Sequence, residues 1–120
     1  MSPTSPKGVA IEPMPRRGEV WLVAFGPSIG GEVQKARPAV VISNDTANAL
    51  LNRVQVVPIS SQVARLYPAE AYVSLNSARR KAMADQTTAA SKQRLQRRMG
   101  TLSAEGVAAV AGAIRLQLRL

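Results

Sequence analysis

The chain has 120 residues, 46% of them hydrophobic, which is room for one domain with its own core. Sixteen Lys and Arg against seven Asp and Glu leave a net charge of +9, an excess that calls for a polyanionic partner, either nucleic acid or an anionic membrane surface. There is no Cys and no His, which excludes a disulfide frame, a thiolate nucleophile, a zinc cluster and the commonest general acid/base.

No apolar run approaches the ~18 residues of a membrane span, and Lys7 is followed by no apolar stretch of the signal-peptide kind. The expected location is therefore the cytoplasm, with no membrane partner. Residues 1–15 hold four of the eight prolines and are expected to be a flexible tail ahead of a single domain at 16–120. Residues 19–25 (EVWLVAF) are apolar, β-branched and aromatic, and predict a strand. The glycines of 26–36 predict a flexible loop, and 38–43 (PAVVIS) a second, buried strand opening on proline. Asn44 and Asp45 cap a short helical turn over 46–52.

Residues 53–59 (RVQVVPI) and 71–75 (AYVSL) predict two more strands. Asn76 and Ser77 open a turn whose arm, Arg79-Arg80-Lys81, is strongly basic. A short strand over 82–88, a helical turn over 91–96 and a last strand over 99–102 complete the β part. Ser103 is a good N-cap, and Val107, Val110, Ala111, Ile114 and Leu118 then form one helical stripe. Strands first and one long helix last predict a small, mainly β barrel with a packed helix.

Four segments carry the candidate chemistry. In Lys35-Ala36-Arg37-Pro38 two cations stand where a buried strand begins. Pro38 restricts Arg37 to extended backbone and so pre-orients a guanidinium, the preferred bidentate clamp for phosphate. Ser60, Ser61 and Gln62 cluster hydrogen-bonding groups where an apolar strand stops. Asp85 and Gln86, near Lys92 and Arg94, offer a proton acceptor or base-reading groups. The fourth is the basic set Arg79, Arg80, Lys81, Arg94, Arg97 and Arg98, which drives a net +7 in residues 61–120 against +2 in residues 1–60. Trp21 and Phe25 are expected in the core, which leaves Tyr67 and Tyr72 as the only stacking platforms for bases.

In order and spacing these segments resemble the MazF/PemK toxins of toxin–antitoxin systems. The resemblance runs through Gly18-Glu19-Val20-Trp21, the Gly-Pro…Gly-Gly-Glu loop, Lys35 to Asp45, Val56 to Gln62, Asp85-Gln86 with Lys92 to Leu95, and Gly100-Thr101-Leu102 with the terminal helix. It covers about residues 16–120. It implies a small SH3-like β-barrel of the CcdB/MazF kind with a C-terminal helix, forming a homodimer. It also implies a sequence-specific endoribonuclease that cuts single-stranded RNA without metal or other cofactor, leaving a 2′,3′-cyclic phosphate and a 5′-hydroxyl. Growth would be inhibited until a cognate antitoxin with an acidic segment covers the groove.

By position, the resemblance makes Arg37 the catalytic arginine and puts Ser60 where the family usually has a catalytic threonine. Glu32 falls in the loop that contacts RNA, and Gln86 matches a groove-lining residue. Lys35, Ser61, Gln62, Arg79, Arg80, Lys81, Asp85, Lys92 and Arg94 complete the expected substrate-binding set, and no residue is assigned to a metal. The chain departs from the family at Val33, where Gln is usual, and at Thr87 and Thr88, where an apolar residue and an arginine are usual. The proton acceptor is open at this level between Arg37 itself, Glu32 and Asp85. Two other readings share the composition: a CcdB-like toxin that binds gyrase, and an RNA-binding barrel without catalysis.

Overall fold

A computed structural model describes residues 14–26 and 35–120. The expected tail and most of the expected glycine loop, Glu32 included, lie outside the described residues. Among the described residues seven strands follow in chain order: β1 (Glu19–Ala24), β2 (Ala36–Val41), β3 (Arg53–Ser60), β4 (Glu70–Leu75), β5 (Ala78–Met83), β6 (Thr88–Ser91) and β7 (Leu95–Thr101). A short helix α1 (Asp45–Leu50) separates β2 from β3, and α2 (Ala104–Leu118) closes the chain. The strands form one antiparallel sheet in the order β4-β5-β3-β2-β1-β7, with β6 beside the first half of β3. The sheet curls because β3 changes partner along its length: Val54 faces Ala90 of β6, while Ile59 faces Ala82 of β5. The architecture is thus mainly β with a C-terminal helix, as the sequence predicts, and the curled sheet forms a half-barrel.

The apolar runs in β2 and β3 are continuous because both faces of the sheet are covered there. Val40, Val57 and Ile59 pack with Val73, Leu75 and Ala82 and with Val110 of α2. On the other face Ala39, Val41, Val54 and Val56 pack with Ala90 and Leu95, and Trp21 and Phe25 lean against them. Gly18 ties the sheet together at φ +93°, donating to the Val41 carbonyl and accepting from Leu102. That backbone conformation favours glycine.

The structure corrects several of these expectations. Arg79-Arg80-Lys81 is not a free arm but the middle of β5, paired to β4 through Tyr72↔Lys81, Val73↔Arg80 and Ser74↔Arg79. The expected strand over 82–88 is broken by a 3-10 turn at Ala84–Gln86. The helical turn over 91–96 shrinks to Lys92–Arg94, and β7 already begins at Leu95. In α2 the stripe holds at Val107, Val110 and Ile114, but Leu118 is 60% exposed.

Candidate active site

A groove of about 540 Å³ opens at the end of the curled sheet, where β2 starts and β3 stops. Its lining joins Arg37 and Pro38, Ile59 to Gln62, Leu75 and Asn76, Ala78 and Arg80, and Met99. Residues distant in sequence meet there because antiparallel pairing aligns the start of β2 with the end of β3. Arg37, one place before Pro38, is exposed at the strand's first turn into the sheet and pairs with Val23 of β1. Ser60, half-buried, is the last residue of β3. Its Oγ accepts the Gln62 amide at 3.0 Å, which fixes the oxygen and leaves the hydroxyl hydrogen free to donate.

The β5 register explains why one of three consecutive cations enters the groove. Arg80 lies on the same strand face as Ala78 and Ala82 and opposite Val73, the face that turns toward the groove and the core. It has no carboxylate partner among the described residues, and neither has Arg37. Arg79 and Lys81 lie on the other face. The Arg79 guanidinium stacks 4.0 Å above the Tyr72 ring. Lys81 is buried, its Nζ donating to Glu70 Oε1 at 2.9 Å and to the Arg65 carbonyl at 3.1 Å. Burial would raise the Glu70 carboxyl, but the Tyr67 amide and the Lys81 ammonium more than offset it and hold the group below its ordinary value.

Several expected binding residues are not brought to this groove. Asp85 lines a separate pocket with Tyr67, Pro68, Ala69, Glu70 and Gln117. The Gln86 amide donates to the Met83 sulfur. Lys92 is buried, and Arg94 is held by the Ala24 carbonyl at 3.1 Å. Lys35 is exposed just ahead of β2 but is not part of the lining. Arg98 is drawn to Glu19 Oε2 at 3.2 Å. Of the two tyrosines, Tyr72 is covered by Arg79 and donates its hydroxyl to the Val63 carbonyl, while Tyr67 remains 55% exposed. Thr88, where the usual arginine is missing, lies on β6 and outside the groove lining.

Sequence reasoning missed Leu75, Asn76, Ala78 and Met99. Two signals pointed to them. Asn76-Ser77 fits a two-residue hairpin turn, and strand alternation through 78–83 would have put Ala78 and Arg80 on one face. The groove's polar groups are two guanidinium groups, hydroxyls and amides, with no carboxylate among its described lining residues. Such a set is suited to holding phosphate and stabilising charge that develops on it.

A family model described as the PemK-like, MazF-like toxin of type II toxin–antitoxin systems matches residues 16–118. The chain is 39% identical over 116 residues to endoribonuclease MazF9 of Mycobacterium tuberculosis, covering 89% of this chain and 98% of that one. A chain of the MazE–MazF (Form-II) structure from Deinococcus radiodurans superposes with a TM-score of 0.75 at 25% identity, covering 89% of this chain and 97% of its own. An endoribonuclease in complex with its cognate antitoxin from a mycobacterial species shares the fold, with a TM-score of 0.73 at 20% identity over 88% of this chain and 96% of that one.

Proposed function

This chain belongs to the family of PemK-like, MazF-like toxins of type II toxin–antitoxin systems, and from that premise we propose that it cuts single-stranded RNA in the groove between Arg37 and Ser60. The observation that carries the reading is the convergence of Arg37, Ser60 and Arg80 on one groove without a neutralising acid among the described lining residues. The ribose 2′-hydroxyl loses its proton, attacks the adjacent phosphorus and expels the 5′ oxygen. The products are a 2′,3′-cyclic phosphate and a 5′-hydroxyl. The Arg37 guanidinium clamps the phosphorane oxygens as their charge grows, and the Ser60 hydroxyl donates to one of them. Arg80 holds the phosphate of a neighbouring nucleotide.

Asp85 lines a different pocket, which leaves Arg37 itself and Glu32 as the proton acceptors to be tested. Needing the 2′-hydroxyl as nucleophile, the reaction spares DNA. The groove chemistry calls for no metal, so EDTA should leave cleavage unchanged. An acidic segment of a cognate antitoxin competes for the same two guanidinium groups, consistent with the antitoxin complexes among the structural relatives. The toxin acts in the cytoplasm and slows growth by destroying message. It pairs with itself through the end of α2, where Leu116, Leu118 and Leu120 are exposed by 59%, 60% and 84%. Light scattering at micromolar concentration should therefore give twice the chain mass.

The test incubates purified protein with a long single-stranded RNA in EDTA, beside Arg37→Ala, Ser60→Ala and Ser60→Thr. Removing a donor to developing charge typically costs about 10²–10³ in rate, so both alanine variants should fall by that order. Ser60→Thr keeps the hydroxyl and should stay near wild type. Arg37→Ala cutting as fast as wild type would overturn the site. RNA bound but never cut would leave a binding barrel, and gyrase inhibition without RNA binding would leave a CcdB-like toxin.

A further inference from the structure

Asn76 is a groove residue with no part in the chemistry above. With Ser77 it joins β4 to β5, and both have positive φ, 52° and 66°. That two-residue turn favours Asn for its backbone alone. The turn does not explain the side chain. Its Nδ2 reaches across to the Met99 carbonyl on β7, 3.0 Å away. Gly100 makes the room, since a Cβ there would stand 2.9 Å from Asn76 Oδ1 and 2.9 Å from Leu75 Cδ1. The carboxamide is thereby held at the groove wall with Oδ1 and the second Nδ2 hydrogen still to be used.

The surface beside it is apolar, made by Leu75, Met99, Ile59 and Pro38, and no aromatic ring is among the groove's described lining residues. A flat base can lie against such a surface. A donor and an acceptor side by side on one rigid amide is the arrangement that reads an adenine edge bidentately. An amide already fixed by Met99 loses little freedom when it binds.

We propose that Asn76 is the base-reading residue of the groove: an adenine of the single strand lies against Leu75 and Met99 with its edge on the Asn76 carboxamide. The inference rests on the RNA reading above and adds a specificity to it. The test separates the two by measuring binding apart from cutting. The probes are 2′-fluoro oligouridylates, which lack the attacking hydroxyl. One carries a single adenine, and its twin carries purine, which lacks the 6-amino group. Wild type should bind the adenine strand roughly ten-fold tighter than the purine strand. Asn76→Gly keeps the positive φ and removes the carboxamide, so this ratio should vanish, with the adenine strand losing more affinity than the purine strand. Equal binding of both strands by wild type, or a ratio that survives Asn76→Gly, would sink the proposal. Cleavage of unmodified RNA is scored separately. The base contrast without any cutting upholds Asn76 and overturns the enzymatic reading; cutting without the contrast does the reverse.

Discussion

Lys81 and Glu70 face each other across β4 and β5, each side chain less than a tenth exposed, with their charged atoms 2.9 Å apart. A buried ion pair contributes little net stability against an apolar pair of the same shape, but losing one partner strands the other. Lys81→Ala should therefore destabilise the fold by roughly 3 kcal/mol, while Lys81→Met with Glu70→Leu should recover most of the loss. Urea melts of these proteins and of the single variants Lys81→Met and Glu70→Leu check this, and an additive double change would refute the pairing. The pair is also an acid-sensitive contact. Because the folded Glu70 carboxyl lies below its ordinary value of 4.5, its stabilisation is fully present above that pH. It fades as pH falls through the lower, folded value. Asp45 is shifted the same way, chiefly by the Arg17 amide at 2.7 Å, against partial desolvation. Stability should thus drop below about pH 4.5, and Glu70→Gln should flatten part of that drop.

At the scale of elements, α2 shows what local sequence can carry. Ser103 Oγ accepts the Gly106 amide at 3.0 Å, an N-cap readable from one residue before the helical stripe. Ser103→Ala should lower stability by about 1 kcal/mol, and Ser103→Gly by only a few tenths. Equal losses for the two would mean that the hydroxyl is not the cap. The strands of β1 to β4 were legible for a similar reason, since their apolar runs are dictated by cover on the sheet. Strand β5 was not. Ala-Arg-Arg-Lys looks like a solvated arm until Tyr72 and Glu70 on the neighbouring strand supply a ring and a carboxylate for two of its cations. Those partners are brought by pairing, which no local window contains. The same contrast divides the candidate site. Arg37, Ser60, Ser61 and Gln62 were visible as polar groups at strand ends. Asn76 looked like a turn residue because its side-chain contact is made with Met99, beside Gly100 on β7, at the opposite end of the strand order.

For the whole molecule, the +9 charge is less available than its size suggests. Most of the excess lies in residues 61–120, yet Lys81 and Lys92 are buried, Arg79 covers Tyr72, Arg94 holds the Ala24 carbonyl and Arg98 is paired with Glu19. Arg115 and Arg119 sit at the far end of α2, where they suit the helix dipole. From that half only Arg80 lines the groove, opposite Arg37 from the less charged half. The distant cations add to the long-range field that draws RNA in, an effect on encounter rate. Equilibrium binding should instead count the few phosphates that guanidinium groups actually neutralise. Each contributes about 0.7 to the slope of log affinity against log salt for a single strand. Two or three contacts, with Lys35 as the third, predict a slope between about −1.4 and −2.1. Arg80→Ala should make the slope shallower by about 0.7 and weaken all sequences alike. A slope near −5, or one unmoved by Arg80→Ala, would mean that RNA is held on a surface outside the groove.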